Sequence, residues 1–265
     1  KSLRPLFLLP QYYGNHVHEF SRFAEYCFGL KHLKRQGLYY YLYQFMAANR
    51  RDQSLNLNAD QFTNANYAIM NYGKASIALM HLENAIGKER FDNKMKQYFS
   101  DWQFKHPRPD DFEAYMNDSN QHDWFFRDIL NTTKTFDYAI HRVNKNQIEL
   151  INKGEIPAPT QLFIQYKDQS RDTINVDGFY GKKSLNLSGE IIKAAIDPMH
   201  ITLDLNQQNQ YYTKSALFRK PLKYRILPGI QDPQYHYVYI SPTMGANGND
   251  GLLLGAALYN NFFTP

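Results

Sequence analysis

The 265-residue sequence predicts a multidomain α+β chain with a helical part over 1–135, a β-sandwich over 136–215 and a strand segment over 216–265. Two patterns predict it. Up to about Thr132 apolar residues recur at three- and four-residue steps, the period of an amphipathic helix. From Phe136 to about Thr213 short alternating runs follow one another about every ten residues, the spacing of a sandwich.

The clearest helix runs from Asn64 to Ile86, with Gly87 behind it as a left-handed cap. Ile69, Tyr72, Ser76, Leu79, Leu82 and Ile86 share one stripe, so the expectation is that Tyr72 faces inward. A second helix is expected over Lys88 to Trp102, with Phe91, Met95, Tyr98, Phe99 and Trp102 on its buried side. The prolines of HPRP, residues 106–109, break it, because a residue before proline is driven from the helical region. A third helix opens at Pro109, with Asp110 and Asp111 where carboxylates complement the helix dipole. DWFFRDIL, Asp123 to Leu130, reads as a last short one.

Seven strands are expected in the middle part: DYAIHRV, QIELI, TQLFIQY, DTINV, SLNLS, EIIKAAI and HITLDL. The last fifty residues supply LKYRILPGI, QYHYVYISPTMG and GLLLGAALYNN, with GANGNDG as a turn. Their alternation and aromatic content suit either a surface hairpin or the strands of a membrane barrel.

Composition narrows the function classes. Hydrophobic residues make up 43%, with 21 Tyr and 18 Phe beside two Trp, a usage suited to half-buried sheets and interfaces. The net charge of +5 comes from dispersed groups such as Lys31, Lys34 and Arg35, Arg50 and Arg51, or Lys182 and Lys183. That pattern fits solvated faces and argues against a nucleic-acid stripe. The single cysteine, Cys27, allows no disulfide within the chain and sits among apolar neighbours as a structural thiol would. No apolar run reaches the ~18 residues of a spanning helix. KSLRPLFLLP does not make a complete signal peptide, and the start reads as a cut from something longer.

Nine histidines are scattered, and only His16 and His18 lie close together; on a helix two residues at that spacing point about 200° apart. GANGND is not a phosphate loop. Asp197, Asp204 and Asn206 carry oxygens that a calcium ion would accept, but turn and edge positions explain them better.

NYGKASIALMHLENAIGKERFDNKMKQYFSDWQFKHPRPDDFEAYM, residues 71–116, followed by DWFFRDIL and TFDYAI, resembles the zinc aminopeptidases of the aminopeptidase N family. The family's elements recur in order: a Tyr-x-Lys-Gly helix, an iGxexF segment, a helix ending in Y(F), an Asp-Phe helix and a wFF segment. The resemblance covers about 70 residues. It implies the helical C-terminal half of a thermolysin-like catalytic domain, then an immunoglobulin-like β-sandwich, then C-terminal strands.

By the same resemblance Tyr72 falls on the family's catalytic tyrosine. Its phenol would donate a hydrogen bond to the oxygen that becomes negative as water attacks a peptide carbonyl, and this role needs the phenol to open on a hollow. Lys74 matches the family's lysine and is expected to brace the helix, whereas Ala75 stands where the family usually has glycine.

The HExxH block should mostly precede Lys1. EFSRFAEY, Glu19 to Tyr26, looks like the family's run carrying the last metal ligand, which makes Glu19 a zinc ligand. Alternatively HEFSR is a decayed HExxH with Arg22 in a ligand's place.

The resemblance therefore implies zinc in the parent protein, none bound by this stretch alone, and peptides with free N-termini as substrates. The rival expectation is a non-catalytic peptidase-like binding or scaffolding module. A helical adaptor with a sandwich and no relation to peptidases is a third, favoured if the helices pack as a solenoid and Tyr72 is fully buried. ISPTMGANGNDGLLLGAALYNN resembles the start of the outer-membrane barrel segment attached to some bacterial members, implying the bacterial envelope, periplasm or outer membrane.

Overall fold

The computed structural model describes residues 37–214, 220–226, 231–248 and 251–260. It is a mixed fold of α-helices and antiparallel sheets, divided into two compact units. One takes in the helices and strands up to Leu222; the other takes in strand residues from Lys223 and from Tyr237 onward.

The first described helix, α1, spans Gly37–Ala48 and buries Tyr40, Tyr43, Gln44 and Ala47, the i, i+3, i+4, i+7 set of one face. Arg50, at φ 53°, turns the chain out of it. A loop leads to α2, Asn64–Ala68, whose N-cap Thr63 accepts the Asn66 N–H on its hydroxyl (3.4 Å).

The helix then widens into a π-turn, Ile69–Lys74, before continuing as α3, Ala75–Ile86. α4 spans Lys88–Trp102 and α5 spans Pro109–Met116, where Asp111 accepts the Arg108 N–H (2.7 Å). A second π-turn, Trp124–Ile129, buries Trp124, Phe125, Phe126 and Ile129. The passage from helix to strand falls between Ile129 and Tyr138.

Seven strands follow: β1 Tyr138–Asn144, β2 Gln147–Asn152, β3 Thr160–Tyr166, β4 Arg171–Val176, β5 Gly181–Asn186, β6 Ile191–Ile196 and β7 Tyr211–Thr213. They form two antiparallel sheets, ordered β1-β2-β5 and β4-β3-β6-β7. Alternation is cleanest on β3, where Thr160, Leu162, Ile164 and Tyr166 are buried and the residues between them are not. One apolar cluster joins Tyr43, Met70, Ile77, Leu82, Phe125 and Phe126 from the helices to Ile148, Leu150, Leu162 and Ile196 from both sheets.

Gly178 is required by close approach: a Cβ there would lie 1.6 Å from the Pro157 carbonyl oxygen. The second unit is described by a three-stranded sheet, β10-β9-β8, built from Leu222–Arg225 (β8), His236–Asn247 (β9) and Gly251–Tyr259 (β10).

Three expectations are corrected. The segment HITLDL is not a strand, and only Asp204 bridges, to Phe136. Its alternation is real, but the Asp197 carboxylate accepts the N–H groups of Ile201 (3.0 Å) and Thr202 (2.8 Å) and bends the segment out of a ladder. The seventh strand is Tyr211–Thr213 instead.

On α4 the buried side was overdrawn. Phe91, Met95, Tyr98 and Trp102 are half-buried, and Phe99, one residue and about 100° beyond Tyr98, is 68% exposed. The stripe through Tyr72 is also displaced. Met70, Gly73, Lys74, Ile77, Ala78, His81 and Leu82 face the core, while Tyr72, Ser76 and Leu79 face outward. Two polar residues, Lys74 and His81, belong to the inner stripe, and the π-turn carries an extra residue per turn that rotates what precedes it.

Candidate functional site

Tyr72 lies in the middle of the π-turn, where Ala75 N–H reaches back five residues to the Met70 carbonyl. Such a widening persists only where the surrounding packing holds it, and it recurs at functional positions. Here three inner residues hold it. Met70 is fully buried; Gly73 is pressed against α1, where a Cβ would stand 3.3 Å from both the Cβ and the carbonyl oxygen of Tyr39; and Lys74 is 1% exposed.

Lys74 is the anchor. Its Nζ stands 3.5 Å from Asp52 Oδ2, donates to the Thr132 carbonyl (3.4 Å) and lies 5.8 Å above the Tyr43 ring. Asp52 is itself buried. Burial pulls the Lys74 ammonium down from its usual range and pushes the Asp52 carboxyl up; each opposes the other's shift by attraction. The pair ties the π-turn to the loop after α1 and to the chain just beyond the second π-turn, and so agrees with the bracing role expected of Lys74.

Asp52 was not singled out from sequence. It follows Arg50 and Arg51, and three charges in a row read as a solvated surface.

The same loop is fastened at other points. Asn66 Nδ2 donates to the Arg51 carbonyl (2.8 Å) and to Gln53 Oε1 (2.9 Å). Ser54 Oγ and the Asn56 N–H both donate to the Leu130 carbonyl (2.8 and 2.9 Å). The backbone beneath Tyr72 is therefore fixed from three sides.

Against this buried base, the Tyr72 side chain is 61% exposed. It is directed outward and is not walled in by neighbours, so the condition that favoured an unrelated helical adaptor is not met. Hollows among the described residues include an open groove of about 610 Å³ along α4 and a recess of about 260 Å³ lined by Ile140, Ile151, Lys220 and His236 among others. Tyr72 lines neither.

Glu19, with His16, His18 and Arg22, lies outside the described residues. Among the described residues no group of three His, Cys, Asp or Glu side chains stands close enough to hold a metal ion.

The carboxylates that resemble calcium ligands are occupied as turn acceptors. Asp197 also takes the Thr202 hydroxyl (2.6 Å); Asp204 takes the N–H groups of Tyr138 and Asn206 (both 2.8 Å); Asn206 Oδ1 takes the Gln208 N–H (3.1 Å). The Asp204 backbone carbonyl receives Tyr40 OH (2.9 Å) and Gln44 Nε2 (3.0 Å), which docks α1 onto this loop.

His81 occupies the junction of helices and sheets. Its neutral ring carries the proton on Nε2, donates it to the Pro159 carbonyl (2.7 Å) and packs on Trp124 and Phe136. Burial lowers its pKa to about 4. No helix among the described residues is long and apolar enough to cross a membrane. Neither the protein-family models nor the curated proteins contain a match to this chain.

Proposed function

We propose that the helices around Tyr72 are the rear half of a thermolysin-like catalytic domain in a zinc-dependent aminopeptidase of the bacterial envelope, and that the two sheets after them are its immunoglobulin-like sandwich. The reading starts from the run NYGKA and its ordered companions down to DWFFRDIL. The observation that supports it most is the pairing of an outward phenol with a fully buried lysine two residues later, on a π-turn that packing holds in place.

A neutral hydroxyl on a rigid backbone is what an oxyanion donor requires, because the stabilisation comes from a donor already in position when charge develops. In this role Tyr72 O–H donates to the carbonyl oxygen of the first peptide bond as it becomes tetrahedral. Zinc would supply the activated water when bound; Glu19 is its proposed ligand in this chain, and the remaining ligands and the base come from an HExxH block outside it. The 265-residue chain alone is then inactive.

A non-catalytic peptidase-like module is the second reading, favoured by Arg22 in HEFSR and by the missing glycine of the family's ligand-bearing run.

The test compares aminoacyl-anilide turnover by this chain and by the longer protein that carries it. The proposal expects no turnover from the chain alone and zinc-dependent turnover from the longer protein. Peptide binding with no turnover by the longer protein, zinc-loaded, rejects it in favour of the second reading.

A further inference from the structure

The β9–β10 hairpin sorts its side chains by chemistry. Nine residue pairs run from Gly251↔Asn247 to Tyr259↔Tyr239, and residues directly opposite share a face. One face carries Leu252 and Ala246, Leu254 and Met244, Ala256 and Pro242, Leu258 and Ile240, aliphatic or thioether throughout. Met244 is 79% exposed and Leu254 73%, with Leu252 and Leu258 close to them.

The other face carries Gly245, Thr243, Ser241 and Tyr239, opposite Leu253, Gly255, Ala257 and Tyr259. It holds the hydrogen-bonding groups: Ser241 Oγ and Tyr259 OH are 2.7 Å apart, and the Tyr239 and Tyr259 rings stack at 5.2 Å. From His236 to Asn260 the sequence contains no Lys, Arg or Glu, and its one Asp, Asp250, precedes β10 in the sequence.

Water is a poor solvent for the first face, and what covers it can be narrowed. The hairpin has no arginine anchor and no charged rim on its strands by which protein partners are held.

A paired length of nine residues spans about 30 Å, the thickness of a bilayer's hydrocarbon core, and a tilted membrane strand uses roughly 9–11 residues. Alternation between an apolar outer face and an inner face of small, polar and aromatic groups is the chemistry of a membrane strand. Among the described residues β10 pairs only with β9.

We infer that the face formed by Ile240, Pro242, Met244, Leu252, Leu254 and Leu258 contacts the hydrocarbon of a phospholipid bilayer, with the Tyr239–Tyr259 face turned away from lipid. This stands whether or not Tyr72 is catalytic.

The experiment is vesicle co-flotation of the 265-residue chain with phosphatidylethanolamine and phosphatidylglycerol, for the unmodified chain and for Leu254→Lys, Leu258→Lys and Thr243→Lys. Far-UV circular dichroism checks that each is folded. A charge at the centre of the lipid face should lower partitioning roughly 30-fold, whereas Thr243→Lys on the opposite face should change it less than about threefold. Equal effects on the two faces, or no flotation of the unmodified chain, overturns the inference. So does sedimentation showing a dimer in solution that Leu254→Lys dissolves, which makes a second copy the occupant.

Discussion

At the scale of single residues, the account depends on groups buried beneath Tyr72. A buried ion pair is costly to form but costlier to break, since removing one partner leaves the other charge uncompensated. Lys74→Met is therefore expected to destabilise the fold by about 3–5 kcal/mol, read from urea unfolding. Lys74→Met combined with Asp52→Leu should recover most of that loss; additive losses would show that the two side chains do not act as a pair.

His81 gives a pH signature. The unfolded imidazole titrates near 6.5 and the folded one at about 4, so between these values the unfolded chain binds a proton that the folded chain does not. Stability falls as pH drops from about 6.5 to about 4 and is flat in this respect below that. The span corresponds to about 3 kcal/mol, and a His81→Gln variant, compared with the parent at pH 7 and pH 4, should lack it.

At the scale of elements, what the sequence revealed and what it concealed have separate physical origins. Strands such as β3 were legible because alternation there is enforced by burial on one face. The same alternation in HITLDL misled, because a side-chain carboxylate can outcompete a sheet for backbone N–H groups. The helix through Tyr72 was legible in extent, and its inner face was not. A buried lysine and a buried histidine break the apolar code, and the π-turn breaks the period.

The connection before β5 supplies a prediction at this scale. Gly178→Ala forces a methyl into the Pro157 carbonyl and should cost at least about 2 kcal/mol in urea unfolding. A neutral result would mean that this loop moves freely. Tyr138, whose hydroxyl donates to the Ala158 carbonyl (2.9 Å) and whose ring stacks on Phe179 at 4.8 Å, reports that movement by its exposure.

At the scale of the whole molecule, the helical and strand-rich stretches were apparent in the sequence because period is a property of many residues together. The candidate site was apparent only at Tyr72 and Lys74, through the motif that contains them. Asp52 was concealed beside two arginines, and the long-range contacts of α1 with the Asp204 loop have no local signature at all.

The central claim is that the phenol at position 72 acts on a reacting peptide. The most direct measurement is steady-state hydrolysis of an aminoacyl-anilide by the longer zinc-loaded protein with and without Tyr72→Phe. The account predicts a kcat lower by roughly 100-fold or more, with KM and melting temperature nearly unchanged. An unaltered kcat would contradict it.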